Sequence, residues 1–101
     1  KNLYQKAINE LRRVLKKNCY LYLTLPYGKY MKFKNYQQFD ESRVNLIIDI
    51  FDPLELSLDY FIYCNYKWLK TDKENCISVE PLYNNDIGIS SNSIVTIKMK
   101  K

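Results

Sequence analysis

Leu3, Ala7, Ile8, Leu11, Val14 and Leu15 recur at spacings of three and four residues, so a helix starting at Leu3 gathers them on one face. The helix is expected to end near Lys17. Asn18 is its terminating residue, because a short polar side chain tolerates positive φ better than most. Tyr20-Leu21-Tyr22-Leu23-Thr24-Leu25 is a nearly continuous apolar and aromatic run closed by Pro26, the pattern of a short strand buried on both faces. Pro26 and Gly28 break that strand. Tyr27 to Phe39 is rich in Tyr and Lys without a period and reads as a long loop. Asp40 suits the N-cap of a second helix, in which Val44, Ile47, Ile48 and Phe51 fall at i, i+3, i+4 and i+7. Asp52-Pro53 ends it.

The period then changes from helical to alternating. Leu56, Leu58, Tyr60, Ile62 and Cys64 alternate with Asp59, Phe61 and Tyr63, which gives a strand with one apolar and one mixed face. Lys67 to Asn92 turns to Asp, Asn, Lys, Ser and Glu and reads as a second long connection with one helical turn near Asp72 to Cys76. Ser93 to Met99 sets Val95, Ile97 and Met99 against Ile94 and Thr96 and forms a last strand. The order helix, strand, helix, strand, strand makes an α/β domain. Its first helix and strand with the second helix form a crossover unit, the strand of parallel type, and its last two strands pair antiparallel.

At 101 residues, nearly half of them apolar, the chain supports one core and a single domain over 1–101. Three cysteines, odd in number and widely spaced, suggest neither a disulfide framework nor a zinc site, and point to a reducing, cytoplasmic setting. The absence of histidine removes the imidazole base, the Cys/His nucleophile pair and the commonest metal ligand. No apolar run approaches the roughly twenty residues that cross a bilayer, so no membrane partner is expected. The formal charge of +5 invites a polyanion, but the basic residues are scattered. Arg12, Arg13, Lys16 and Lys17 fall in the last turns of a helix, where the dipole favours cations. Lys98, Lys100 and Lys101 lie at the end of the chain, which leaves Lys29, Lys32 and Lys34 as the basic loop.

One segment carries a resemblance. Asn9-Glu10-Leu11-Arg12-Arg13-Val14-Leu15-Lys16-Lys17-Asn18-Cys19-Tyr20-Leu21-Tyr22-Leu23-Thr24-Leu25-Pro26-Tyr27-Gly28 resembles the E-x-x-R-V-L-K-P-G-G-x-L-x-L-x-x-P-x-G stretch of class I S-adenosylmethionine-dependent methyltransferases. There it forms the helix before the fifth strand, a tight turn and that strand. Lys17 stands where the family has proline, and Asn18 and Cys19 stand for its two glycines. Tyr36-Gln37-Gln38-Phe39-Asp40 and the helix to Phe51 resemble the following loop and helix, in members that modify sugars and related cell-surface components. Leu58 to Tyr66 with Trp68 would be the sixth strand. Ile94 to Lys100 would be the seventh, the antiparallel strand inserted between fifth and sixth.

The resemblance implies the C-terminal half of a partial Rossmann-like methyltransferase sheet, with a small-molecule or sugar-type methyl acceptor. It also implies that the cofactor, S-adenosylmethionine, is held by elements without a counterpart here. The family uses a glycine-rich turn after the first strand and an acidic residue ending the second, whereas this chain has two glycines, Gly28 and Gly88. No cofactor-binding residue is assigned, and the chain alone is expected to be inactive. It begins without Met inside a helical pattern, which is expected of a processed product or of a piece of a longer protein. Its partner is expected to be the missing N-terminal half, or a second copy, at the open edge of the first strand.

On the acceptor side, ligands of open α/β sheets bind beyond the carboxyl ends of the strands. That places Pro26, Tyr27 and Gly28 there, with Tyr36, Gln37, Gln38 and Trp68 lining the acceptor pocket. Each has a plainer reading: tyrosines pack or cover surface more often than they bind, and Trp68 would cap the core edge. Arg13 reads as a solvated residue of a helix end. The alternative function is a small non-enzymatic basic module that docks on nucleic acid or on a protein, since Tyr27 to Tyr36 interleaves aromatics with lysines.

Overall fold

Leu3–Val14 forms helix α1, Tyr20–Pro26 strand β1, Met31–Phe33 and Tyr36–Gln38 the strands β2 and β3, and Glu41–Phe51 helix α2. Glu55–Cys64 is β4, Lys67–Thr71 β5, Leu82–Asn84 and Gly88–Ser90 are β6 and β7, and Ser93–Lys100 is β8, with a 3₁₀ turn at Lys73–Asn75. The structure, a computed structural model, describes residues 3–33, 36–84 and 88–101. Lys34 of the basic loop lies outside them.

β8 is central. The four-stranded sheet has the order β1-β8-β4-β5, and β2 with β3 and β6 with β7 form two separate hairpins. Along β8, Ser93, Val95, Ile97 and Met99 are buried, while Ile94, Thr96, Lys98 and Lys100 between them are half-buried. Strict alternation of this kind fixes which face meets the core, because a slip of one residue would invert every side chain. β1 pairs with β8 from Tyr20↔Lys100 to Pro26↔Ile94, and β4 pairs with it from Glu55↔Lys100 to Ile62↔Ser93, both antiparallel. β1 and β4 therefore run in the same direction without touching.

The expected strand of parallel type is corrected by this arrangement. Among the described residues every ladder is antiparallel, and the one parallel element is an isolated bridge, Tyr27↔Phe39. The physical reason is that β8 occupies the place between β1 and β4 that a direct parallel pairing would need. The order α1, β1, α2, β4, β8 and the antiparallel pairing of the last two expected strands are observed.

Both helices lie on one face. Val44, Ile47 and Phe51 of α2 and Ile8 of α1 join Val95, Ile97 and Met99 in the core. Asp40 caps α2 by accepting a 3.0 Å bond from Arg43 N, and Asp52 ends it at φ 55°. Asn18 takes φ 66° as expected of a left-handed terminating residue. Across the helix gap, Lys101 Nζ donates to the carbonyls of Arg12 and Leu15 and Arg12 Nε donates to Phe51 O, so the open ends of both helices are answered.

One surface, that of β1, differs from the reading of the sequence. β1 is buried on one face only, with Tyr22 and Thr24 exposed on the other. In α1, Leu3 is 80% and Val14 62% exposed, and Ala7 and Leu11 are exposed with them. The apolar stripe of α1 thus packs through Ile8 and leaves much of its width bare. Three further elements were not read from the sequence: the hairpin of β2 and β3 inside the first expected loop, the hairpin of β6 and β7 inside the second, and β5, which follows β4 through a turn of Asn65 and Tyr66, both at positive φ.

Gly28 sits at φ 150°, and a Cβ there would stand 2.3 Å from Val79 O and 2.7 Å from Gln38 Nε2. Gly28→Ala is expected to cost at least about 2 kcal/mol, through backbone strain and overpacking, in urea-denaturation midpoints.

Candidate functional site

The chain leaving β1 is bound back into the fold rather than released as a loop. Tyr27 N donates to Ser93 O (3.0 Å), Gly28 N to Phe39 O (2.9 Å), Phe39 N to Pro26 O (2.9 Å) and Lys29 N to Val79 O (2.9 Å). Gln38, on β3, is fully buried, and its Nε2 donates to Lys29 O and to Val79 O, each at 2.9 Å. One amide therefore ties the segment after β1 to the segment after the 3₁₀ turn.

This end of the sheet also concentrates unanswered polarity. Gln37 Nε2, Gln38 Oε1 and Ser93 Oγ are buried without a hydrogen-bond partner among the described residues. All three belong to the strand facing β1 or to the adjoining hairpin. Buried polar atoms are overwhelmingly paired, so a group of orphans in one place marks where water or a ligand completes the structure.

Tyr27 and Tyr60 meet edge to face with centroids 5.1 Å apart. Burial pushes the Tyr27 phenol far above its ordinary range, and the neighbouring Tyr60, Glu41, Cys76 and Asp40 add to the rise. Tyr60 is raised by burial too, opposed by the charge of Lys73. Lys73 is itself held protonated by an ion pair with Glu41, the first residue of α2. Tyr36 is raised by burial and eased by a hydrogen bond with Ser91. Neutral phenols at this end donate hydrogen bonds and do not serve as bases near neutral pH.

The structure thus brings together six of the seven residues read from the sequence: Pro26, Tyr27, Gly28, Tyr36, Gln37 and Gln38. Tyr27, Gly28 and Gln38 are buried in the wall rather than exposed at a rim. Trp68 is not with them. It lies at the same end of the sheet but on β5, three strand spacings from β1 or roughly 14 Å at 4.8 Å each. It also points to the opposite face, stacked on Tyr63 at 5.3 Å. Ser93, Tyr60, Cys76 and the Lys73–Glu41 pair were missed. The alternation of β8 and β4 gave the inward facing of Ser93 and Tyr60, but nothing local told which strand would neighbour β1.

A cleft of about 340 Å³ lies at the other end of the sheet, lined by Arg12, Lys17, Asn18, Asp52, Leu54 and Lys101. Its cations Arg12 and Lys101 are already engaged by helix-end carbonyls. No protein family model, curated protein or solved structure matches this chain.

Gln38→Leu leaves Lys29 O unanswered and is expected to lower stability by about 2 kcal/mol. Gln38→Glu is expected to cost more at neutral pH, by setting a buried carboxylate against two carbonyls, and to recover on acidification as the group takes up a proton. Denaturation of both variants at two pH values separates the effects. With Tyr27, Tyr36 and Tyr60 all raised, the folded state keeps protons that the unfolded chain loses near about pH 10. Stability is therefore full below that pH and falls as pH rises through it. Tm between about pH 8 and pH 11 should fall less steeply in Tyr27→Phe than in the parent.

Proposed function

We propose that this chain is the C-terminal half of an S-adenosylmethionine-dependent methyltransferase sheet, contributing the acceptor side of a site for a small-molecule or sugar-type acceptor. The observation that carries the reading is the strand order β1-β8-β4, with β1 and β4 codirectional and β8 antiparallel between them. The resembled family sets its seventh strand between its fifth and sixth in that way. The orphaned polar atoms beside the carboxyl end of β1 supply the second support, because ligands of open α/β sheets bind there.

Two unfinished surfaces support a missing half. Consecutive N–H groups of a strand point to opposite sides. Tyr27 N points at Ser93 O, so Leu25 and Leu23 also face β8, whereas Thr24, Tyr22 and Tyr20 point to the free edge. Pro26 falls in the same phase, where its lack of an N–H costs no ladder bond, and there Phe39 closes the edge by donating its N–H to Pro26 O. Helix α1 in turn leaves Leu3, Ala7, Leu11 and Val14 exposed. A further strand on β1 and a further helix on α1 would cover both.

The residues present do not fit the cofactor. Gly28, whose motif position is the nearest to a ligand, has its approach filled by Val79 O and Gln38 Nε2, and Gly88 lies in the β7 hairpin. Calorimetric titration of the chain with S-adenosylhomocysteine is accordingly expected to give no binding; binding at micromolar affinity or better would sink the proposal. In sedimentation the chain should self-associate through β1 as concentration rises, and Thr24→Pro, at a free-edge position, should abolish association while Leu23→Pro abolishes folding.

A second reading has one observation in its favour. On the uncovered face, Lys98 Nζ stands 4.6 Å over the ring of Tyr20 and 5.8 Å over that of Tyr22, with Lys100 Nζ 5.8 Å from Tyr20. Aromatics and cations on an open sheet suit single-stranded nucleic acid. Binding of an oligonucleotide that weakens steeply with salt would favour it over the methyltransferase half.

A further inference from the structure

β4 outruns the sheet. Its register with β8 ends at Ile62↔Ser93, and one more bond, Tyr63 N to Asn92 O at 2.7 Å, closes that side. Cys64, the turn of Asn65 and Tyr66, and the start of β5 continue as a two-stranded arm held by the pairs Tyr63↔Trp68 and Cys64↔Lys67. Three residues of strand make the arm about 10 Å long.

Tyr66 is the odd residue. It holds φ 63° in a two-residue hairpin turn and is 93% exposed. Glycine is the residue that such a position favours, and a bulky side chain there is strained. Nothing in the fold repays that strain, since the ring packs on no described residue. The rest of the arm is apolar on both faces: Tyr63 and Trp68 share one, Cys64 and Leu69 the other, and all are exposed. From Phe61 to Thr71 there is no acidic residue, and Lys67 and Lys70 stand one on each face, Lys70 in an exposed ion pair with Asp59 of β4 at 3.2 Å.

We infer that this arm is a contact element for an anionic lipid surface, with Tyr66, Trp68 and Leu69 entering the headgroup boundary and the lysines meeting lipid phosphates and carboxylates. A base-stacking platform needs aromatics on one face, whereas an element apolar on two faces and at its tip suits a medium that surrounds it. The arm's length matches the roughly 5–10 Å depth at which interfacial elements sit, and Trp, Tyr and Lys are the residues of that zone. The contact is with the surface of a bilayer and stands beside the finding that no described helix is long and apolar enough to cross one. It is independent of the methyl-transfer reading.

Trp68 is the chain's one tryptophan, so its fluorescence reports on the arm directly. Titration with phosphatidylcholine vesicles containing phosphatidylserine should shift its emission to the blue and sediment the protein with the vesicles. Tyr66→Gly should bind about tenfold more weakly without a fall in Tm, which separates lost contact from lost folding. Lys67→Ser with Lys70→Ser should also weaken binding about tenfold. No shift with these vesicles, equal binding to vesicles lacking phosphatidylserine, parent-like binding by Tyr66→Gly, or a shift produced by single-stranded oligonucleotide alone would each overturn the inference.

Discussion

The insertion of β8 between β1 and β4 is the constraint on which the rest of this structure depends. It supplies the ladder for both neighbours and three of the buried apolar side chains, Val95, Ile97 and Met99. Because it comes last among the strands, each earlier strand of the sheet waits for it except β5, which pairs with β4 through a local turn. Contacts of such long sequence separation form late and at a cost in chain entropy. The stitching on the uncovered face follows the same geometry: Tyr20 Oη donates to Glu55 Oε1 at 2.9 Å and Lys100 Nζ to Glu55 Oε2 at 3.3 Å, which joins β1, β8 and β4 in one row. Those bonds hold the exposed Glu55 carboxyl below its ordinary range.

What the sequence made legible is what periodicity encodes. α2 runs from Glu41 to Phe51 under an Asp40 cap, as its stripe and cap predict, and β1, β4 and β8 fall within a residue or two of their expected bounds. The failures have a shared cause. β5 was hidden because its turn is Asn65-Tyr66, without the glycine that marks a tight hairpin, and because Trp68, Leu69 and Lys70 have no apolar side to alternate. β2 and β3 are three residues each, too short to show a period. The stripe of α1 is legible, but its exposure is not, since periodicity tells which residues share a face and not whether a neighbour covers it.

The candidate site shows the same division. Its residues at the end of β1 could be placed from the strand and the break after it, and Gln37 and Gln38 from the segment before the helix. Their partners could not, because Val79 and Ser93 arrive from distant segments. Burial then changes the chemistry. Gln38 is a tie between backbones before it is a ligand contact, and Tyr27 is a neutral donor inside the wall.

The open edge of β1 is the feature from which the incomplete-sheet account follows, and per-residue amide hydrogen exchange tests it most directly. In dilute solution, where the chain is monomeric by sedimentation, the amides of Leu21, Leu23 and Leu25 should exchange slowly, and those of Tyr20, Tyr22 and Thr24 at near-unprotected rates. Equal protection of both sets in the monomer would mean that the chain itself covers this edge, and would contradict the account.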